Sequence, residues 1–277
     1  MSNSAMLTRP IPSSGEPLPV IGCGTYVGFD KSPGSSAYAA LPGVLDALIS
    51  SGGSVIGSSP MYGRAEASVG ELLESGGVRS RCFVATKVWT QGRAAGIRQM
   101  EESMRRLGSP TLDLMQVHNL VDWKVHLATL RGWKAEGRVR YVGITHYSSS
   151  AYREVEAVMR SEKLDFLQIN YSIDDRGAAH RLLPLALEKG VAVLVNVPFG
   201  GGGVLRRLRR TPLPPWAAEI DCTSWPRILL KFVLSHPAVT CAIPGSGDGR
   251  HMLENAGSAM SEIPDESFWE GKSLAGE

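Results

Sequence analysis

Eight short apolar segments, spread evenly along the chain, constrain its possible folds more than any other feature of the sequence. They are PVIGCGT (19–25), SVIGSSP (54–60), CFVATKV (82–88), LDLMQVH (112–118), VRYVGITH (139–146), DFLQIN (165–170), VAVLVNVP (191–198) and VTCAIPG (239–245). Between them lie amphipathic stretches; in residues 96–107, for example, apolar residues recur at spacings of three and four. Runs rich in Val, Ile and Leu that alternate with helices are typical of a parallel sheet. The pattern therefore predicts eight consecutive strand–helix units.

Eight such units favour an α/β fold of the closed (β/α)8 barrel type, in one domain covering residues 1–277. Barrels of about 250 residues commonly fold around a single core. An open doubly wound sheet is the alternative, but the first predicted strand ends in GCGTY and lacks the GxGxxG turn that binds dinucleotides in such sheets. We expect residues 1–18 to form a hairpin or loop that closes the barrel bottom. Residues 199–224 are expected to form a long loop after the seventh strand.

Composition excludes several classes of protein. The formal charge of +2 is too small to predict a nucleic-acid-binding protein, and no apolar run approaches the roughly 20 residues that cross a bilayer. The N-terminus lacks the apolar core of a secretory signal, so a cytoplasmic location is expected. Cys23, Cys82, Cys222 and Cys241 show no CxxC spacing, which predicts buried free thiols and no metal site.

Polar and aromatic residues end nearly every predicted strand. In a (β/α)8 barrel the active site lies at the C-terminal ends of the strands. Polar groups at a closed mouth cost free energy unless they are paired, so their repetition indicates function. These strand-end residues are Thr25, Tyr26, Tyr62, Lys87, Trp89, His118, Asn119, Thr145, His146, Gln168, Asn170, Asn196 and Ser246.

Three of these residues, Tyr62, Lys87 and His118, form a candidate catalytic group. Each alone is more commonly a structural residue, but together on adjacent strands they indicate chemistry. A lysine beside a phenol lowers the pKa of the phenol, which can then give a proton to a carbonyl oxygen. A histidine would orient that carbonyl and supply a second hydrogen bond.

The order of several motifs strengthens this interpretation. The stretches are PVIGCGTY, SSPMYGRAE, FVATKVW, DLMQVHN, VRYVGITHY, FLQINYS, VNVPFGGG and IPGSGDGRHMLEN. With them the sequence resembles the aldo-keto reductase family over nearly its whole length. The resemblance implies a metal-free barrel, monomeric or weakly associated, that reduces a small aldehyde or ketone with NADPH, NADH being the alternative cofactor.

The resemblance also implies residue roles. Tyr62 would be the general acid, Lys87 its partner and His118 the residue that orients the substrate. Tyr26, Trp89 and Trp123 are expected to form the aromatic walls of a substrate mouth, which the short C-terminus leaves open. The implied cofactor contacts are Thr145, His146 and Gln168 at the nicotinamide, Asn196 where many members have a stacking aromatic residue, Pro198, Phe199 and Gly200 over the pyrophosphate, and Ser246, Arg250, Glu254 and Asn255 around the adenosine and its 2′-phosphate.

Two departures from the family pattern affect these expectations. Gly57 stands where the family has an Asp that pairs with the lysine, and no other carboxylate is present in that strand. A lysine without its anion loses its proton more readily in a poorly hydrated pocket. Gly247 and Asp248 replace the basic residue that many members place beside the 2′-phosphate, and Arg250 is a candidate to compensate.

Three interpretations of function therefore remain open from the sequence. The chain is a slower reductase, or a non-redox enzyme in which Tyr62 and His118 catalyse a dehydration, cyclisation or epimerisation, or a catalytically silent protein that keeps the NADPH cleft.

Overall fold

A short antiparallel hairpin, β1 (Thr8–Pro10) and β2 (Pro17–Pro19), precedes eight parallel strands in the computed structural model, which describes residues 6–272. Residues 1–5 of the expected N-terminal hairpin, and 273–277 of the single domain expected over the whole chain, lie outside the described residues. The parallel strands are β3 (Cys23–Gly24), β4 (Val55–Gly57), β5 (Phe83–Val88), β6 (Leu112–His118), β7 (Val139–Thr145), β8 (Phe166–Asn170), β9 (Ala192–Asn196) and β10 (Val239–Ala242).

Each parallel strand pairs with the next one along the chain, from β3 to β10. Bridges between Ile21 and Ala242 and between Gly24 and Gly245 join the two ends of this sheet. The prediction of a closed (β/α)8 barrel is therefore confirmed.

Ten helices of the described chain connect and cover the strands. They are α1 (Ser36–Ala39), α2 (Leu41–Ser50), α3 (Ala65–Ser75), α4 (Arg93–Arg106), α5 (Trp123–Ala135), α6 (Tyr152–Ser161), α7 (Leu182–Lys189), α8 (Gly203–Leu208), α9 (Trp225–Ser235) and α10 (Gly249–Gly257). The predicted helix over residues 96–107 starts three residues earlier than expected. Gly190 ends α7 in the left-handed conformation, with φ at 63°, as its position before a strand predicts.

The segment 199–224 is not a continuous loop. It contains α8 and two 3-10 turns, Gly200–Gly202 and Pro215–Ile220. Val204 and Leu208 bury one side of α8 against the core, which gives this short helix the apolar contact that it needs in water.

The barrel encloses its own core, separate from the apolar layer between strands and helices. Phe83, Tyr141 and Phe166 pack there with ring centroids 5.5–5.9 Å apart. Ile11 and Leu18 of the N-terminal hairpin belong to the same core and are fully buried. The hairpin thus fills the end of the barrel opposite to the strand C-termini.

Among residues 6–272, no helix combines the length and the apolar character needed to cross a bilayer. Within the same range, no cluster of three or more His, Cys, Asp and Glu side chains is placed to hold a metal ion. Cys23, Cys82, Cys222 and Cys241 are buried free thiols, as predicted.

Candidate active site

Strand register gathers polar side chains at the C-terminal end of the barrel. His118 pairs with Thr145, and Thr145 pairs with Gln168 on the next strand. Further round the barrel, Asn170 pairs with Asn196. Residues that are distant in sequence therefore line one mouth, where the sequence predicts the site.

Tyr62 reaches this mouth through a tight turn after β4. The amide N–H of Tyr62 donates to the carbonyl oxygen of Ser59 at 3.1 Å, and the two residues between them are Pro60 and Met61. Serine at the first position and proline at the second are favoured in turns of this kind. The phenol ring is partly buried and packs against Tyr26, with ring centroids 5.0 Å apart.

Lys87 lies below this ring, one residue before the end of β5. Its ammonium nitrogen is 5.1 Å from the centre of the Tyr62 ring, and it donates a hydrogen bond to the carbonyl oxygen of Ser58 at 2.6 Å. The side chain is 1% exposed. Burial lowers the pKa of Lys87 to about 7, and the carboxylate of Glu66 acts in the opposite direction. This direction agrees with the expectation from the sequence, and its cause is burial; the effect of an absent Asp stays a prediction.

An apolar side chain lies close to Gly57. A Cβ atom added to Gly57 would lie 3.1 Å from Cδ1 of Ile243, the residue that follows β10. Lys87 therefore has a neutral carbonyl as its hydrogen-bond partner instead of an anion.

The pKa of Tyr62 differs from the expectation. Burial, with a smaller contribution from the neighbouring Tyr26, raises this pKa to about 12. Burial therefore acts on the pKa of Tyr62 in the opposite direction to the lowering that the sequence predicts from Lys87.

His118 ends β6 on the far side of the phenol. Its ring meets that of Tyr62 edge-on, with centroids 6.3 Å apart, and Ser59 Oγ is 3.5 Å from its Nδ1. Burial, with smaller contributions from Lys87 and His146, lowers the pKa of His118 to about 3. The imidazole is therefore neutral near pH 7 and carries one N–H.

The aromatic walls are placed unequally. Tyr26 is 65% exposed and Trp89 is 41% exposed, and Trp89 lies 6.4 Å from the His118 ring between centroids. Trp123 begins α5 and packs partly against the outer core. Tyr26 and Trp89 therefore lie beside the rings of the catalytic candidates.

Backbone strain marks the same mouth. Val27 and Val197 have φ values of 61° and 52°, and Asn119, Leu120 and Asp122 also have positive φ. β-Branched residues rarely adopt this conformation, and such strain clusters at functional sites. All five follow the C-terminal ends of β3, β6 or β9, so the strain points to the mouth independently of the polar residues.

The predicted nicotinamide contacts form one group. Thr145, Gln168 and the backbone of His146 are joined by strand pairing and by the bond from His146 N–H to the Gln168 carbonyl. Asn196 donates to the His146 carbonyl at 3.3 Å, and its Oδ1 atom is buried without a partner among the described residues. Asn170 Oδ1 is also buried without a hydrogen-bond partner among the described residues.

The predicted pyrophosphate segment follows β9 directly. Pro198 is buried, and Phe199 packs partly against the outer core. Gly200 has φ at 55°, so it turns the chain into α8 in a conformation that suits glycine.

The predicted adenosine contacts lie around the start of α10. Ser246 bonds the backbone of Asp248, and Asp248 caps the helix through the Arg250 amide. The carboxylate of Asp248 also holds the guanidinium of Arg250 at 2.8 Å. Arg250, which is 88% exposed at its side chain, is thus already paired with an anion. Glu254 is half-buried and Asn255 is buried on the same helix.

Close packing against a neighbouring loop favours glycine at position 247. A Cβ atom there would lie 3.2 Å from the carbonyl oxygen of Gly28. The loops after β3 and β10 approach too closely at this point for a long basic side chain without adjustment.

Two residues of the site were not predicted from the sequence. Ser59 is buried against His118, and the Ser-Pro turn signal in SSPMYG could have placed it there. Glu66 is 1% exposed in the first turn of α3 and accepts a hydrogen bond from Thr86 at 2.6 Å. Burial raises its pKa, and Arg106 and Lys87 lower it. Helical periodicity, which places Glu66 on the same face of α3 as Val69, is the only sequence signal that indicates its burial.

Comparison with known proteins gives consistent results. A family model described as the aldo/keto reductase family matches residues 20–275. Methylglyoxal reductase YeaE from Escherichia coli (strain K12) is 30% identical over 254 residues, which cover 89% of this chain and 87% of that protein. Aldo-keto reductase str7 from Strobilurus tenacellus is 27% identical over 280 residues, with coverages of 84% and 80%.

Solved structures extend the similarity to the whole fold. An aldo-keto reductase from Klebsiella pneumoniae in complex with NADPH superposes with a TM-score of 0.80 at 25% identity, covering 96% of this chain and 94% of that one. An aldo/keto reductase structure from the same organism, with NADP and acetate, gives a TM-score of 0.77 at 25% identity and coverages of 91% and 89%.

Proposed function

The chain belongs to the aldo/keto reductase family, and from this premise we propose that it reduces an aldehyde or ketone to the alcohol with a nicotinamide cofactor. Tyr62 is the proton donor, His118 orients the carbonyl, and Lys87 supports Tyr62. The proposal depends above all on one observation, the convergence of these three side chains at the barrel mouth.

The protonation states of these groups suit a carbonyl substrate. A phenol with a pKa of about 12 holds its proton at neutral pH and can donate it. Neutral His118 keeps one N–H that can point at the same oxygen. Two donors aimed at the oxygen where negative charge develops are a strong source of transition-state stabilisation.

Two unpaired acceptors at the mouth support a nicotinamide cofactor. Asn170 Oδ1 and Asn196 Oδ1 are buried acceptors without partners in the described chain, and a carboxamide N–H₂ is a group that could satisfy them. Bound NADPH would supply the hydride. We propose NADPH because the K. pneumoniae structures were solved with NADPH or NADP; NADH is the alternative, since Asp248 already neutralises Arg250.

The substrate is proposed to be a small carbonyl compound with an apolar or aromatic group. Exposed Tyr26, Val27, Met61 and Trp89 border the mouth, and aromatic and aliphatic walls favour such ligands. Methylglyoxal, which gives the E. coli relative its name, is included among the test substrates as a very small carbonyl compound.

The test is a turnover assay with matched variants. Purified protein is mixed with NADPH and a panel of aliphatic, aromatic and dicarbonyl compounds, and cofactor oxidation is followed by absorbance. We expect measurable turnover, and we expect Tyr62→Phe to lower kcat/KM by roughly 100-fold or more. Tyr141→Phe, at the opposite end of the barrel, where its hydroxyl bonds Glu16 of the N-terminal hairpin, is the control and is expected to leave kcat/KM unchanged.

Cofactor fluorescence separates the other interpretations. Binding of NADPH without turnover of any carbonyl would contradict the reductase proposal and favour a silent or non-redox protein. Absence of binding would contradict the cofactor proposal as well.

A further inference from the structure

The orientation of His118 depends on which of its two ring nitrogens carries the proton. A neutral imidazole has one donor nitrogen and one acceptor nitrogen, and the hydrogen bond made by one nitrogen fixes the role of the other. Only the tautomer protonated on Nε2 can donate to a substrate at the mouth if Nδ1 is turned inward.

Nδ1 of His118 is the inward nitrogen in this barrel. It faces Ser59 Oγ at 3.5 Å, and both side chains are buried. Nε2 makes no hydrogen bond with any described residue, and it is not among the fully buried unpaired atoms. It is therefore the nitrogen with access to the mouth.

The hydroxyl of Ser59 is available to this ring. Its partner among the described residues is His118, whereas the adjacent Ser58 hydroxyl bonds Thr25 at 2.9 Å. The turn that holds Ser59 also carries Tyr62, because the Tyr62 amide bonds the Ser59 carbonyl. One turn thus sets the phenol at the edge of the imidazole and the hydroxyl against its inner nitrogen.

We propose that Ser59 is a positioning residue for His118: its hydroxyl donates a hydrogen bond to Nδ1 and keeps the single ring proton on Nε2, directed at the substrate oxygen. The inference deepens the proposed reduction and depends on it for its catalytic meaning. The 3.5 Å separation is long for a hydrogen bond, and bonds of this kind commonly shorten when substrate is bound.

Few other contacts of the His118 ring determine its orientation. Tyr62 lies edge-on at 6.3 Å and Trp89 is tilted at 6.4 Å, both measured between centroids. These contacts restrict the plane of the ring but do not distinguish its nitrogens. Ser59 is the polar group of the described chain that does so.

The first test reads the tautomer directly. Long-range ¹H–¹⁵N NMR spectra of the intact protein separate Nδ1–H from Nε2–H imidazoles, and His118→Gln assigns the resonance among the six histidines. We expect the Nε2–H form in the native protein and a mixture of both tautomers in Ser59→Ala. The Nδ1–H form in the native protein, or an unchanged spectrum in Ser59→Ala, would overturn the proposal.

Matched variants show whether the effect belongs to this hydroxyl. Ser58→Ala removes the neighbouring buried hydroxyl and is expected to leave the His118 tautomer unchanged, whereas Ser59→Thr keeps the donor and is expected to retain the Nε2–H form. If Ser58→Ala shifted the tautomer as much as Ser59→Ala, a general disturbance of the turn would be the cause, and the proposal would be wrong.

Kinetics provide the second readout. We expect Ser59→Ala to lower kcat by roughly tenfold with a smaller change in KM, because the lost orientation matters most in the transition state, and Ser59→Thr to restore most of the rate. Equal rates for the native protein and Ser59→Ala would overturn the proposal. Because the NMR spectra need no turnover, a protein that reduces no carbonyl but shows the expected tautomers would contradict the proposed function alone.

Discussion

At the scale of single residues, the proposed reduction depends on the charge of Lys87. The ammonium group is buried against a backbone carbonyl, and its pKa of about 7 leaves it only partly charged at neutral pH. Charged Lys87 helps a departing phenol proton, since a nearby cation stabilises the phenolate. That help is present below the pKa of Lys87 and is lost as the pH rises through it.

Restoring a carboxylate at Gly57 tests this dependence. We expect Gly57→Asp to raise the pKa of Lys87, to move the alkaline fall in kcat/KM to higher pH, and to increase the reductase rate at pH 8 by about tenfold or more. Gly57→Asn, which has the same shape without the charge, is the control. Equal rates and pH profiles for the two variants would show that the charge of Lys87 does not limit the reaction.

The new side chain must fit beside Ile243. Its Cβ would lie 3.1 Å from the end of that flexible side chain, so Ile243 has to move by a few tenths of an ångström. The double variant Gly57→Asp with Ile243→Val provides the space and distinguishes a steric failure from an electrostatic one.

At the same scale, we expect Asp248 to affect the choice between NADPH and NADH. Because its carboxylate pairs with Arg250, we expect Asp248→Asn to free the guanidinium and to raise the ratio of NADPH to NADH affinity by roughly three- to tenfold. Asparagine is as good a helix cap as aspartate, so α10 should remain. Equal changes in the two dissociation constants, measured by fluorescence titration, would exclude this role.

At the scale of the elements, two buried aspartates join neighbouring strands at the base of the barrel. Asp113 accepts the backbone N–H of Val84 at 2.8 Å, and Asp165 accepts that of Val142 at 2.9 Å. Each carboxylate also holds a cation, Arg140 for Asp113 and Lys134 for Asp165. The base is thus held by ionic groups that lie far from the chemistry.

Removal of one anchor should weaken the fold and spare the site. We expect Asp165→Ala to lower the free energy of unfolding by about 2–4 kcal/mol, since it leaves a buried N–H without a partner. Asp46→Ala, on the exposed face of α2, should change it by less than about 0.5 kcal/mol. Urea unfolding measures both, and similar losses in the two variants would contradict the anchoring role.

The elements were predictable to different degrees from the sequence. The run 112–118 is β6 without a change of boundary, because both neighbours of this strand are long and regular. The run 19–25 shrinks to Cys23–Gly24. At the seam, where the first and last parallel strands meet, its pairing consists of isolated bridges. Periodicity identifies a strand, whereas the pairing that fixes its ends depends on distant parts of the chain.

The candidate site shows the same limit. Strand ends were sufficient to locate Tyr62, Lys87 and His118 at the mouth, and the lowered pKa of Lys87 follows from its burial. The raised pKa of Tyr62 and the burial of Glu66 could not be predicted. They follow from how much water three-dimensional packing excludes, which residue types alone do not determine.

At the scale of the whole molecule, closure of the barrel depends on close packing of the backbone at the seam. A Cβ atom on Gly24 would lie 2.8 Å from the carbonyl oxygen of Ile243, and one on Gly22 would lie 2.7 Å from that of Val55. Glycine permits β3 to approach β10 and β4 closely enough for the first and last strands to meet.

A methyl group at the seam should therefore destabilise the whole barrel. We expect Gly24→Ala to lower the free energy of unfolding by about 1–3 kcal/mol through overpacking against backbone. Gly43→Ala is the control, because that glycine lies in α2 with nothing within 4 Å of an added Cβ, and alanine there should stabilise by up to about 1 kcal/mol. A neutral Gly24→Ala variant would show that the seam tolerates expansion.

The N-terminal hairpin imposes an order on biosynthesis. Ile11 and Leu18 leave the ribosome before any of the strands whose interior they fill, whereas Cys241 and Ile243 of the same core emerge only after the other seven parallel strands. The core inside the barrel cannot be completed until then. Chaperone binding to the nascent chain should therefore persist until β10 has emerged and fall once that strand docks.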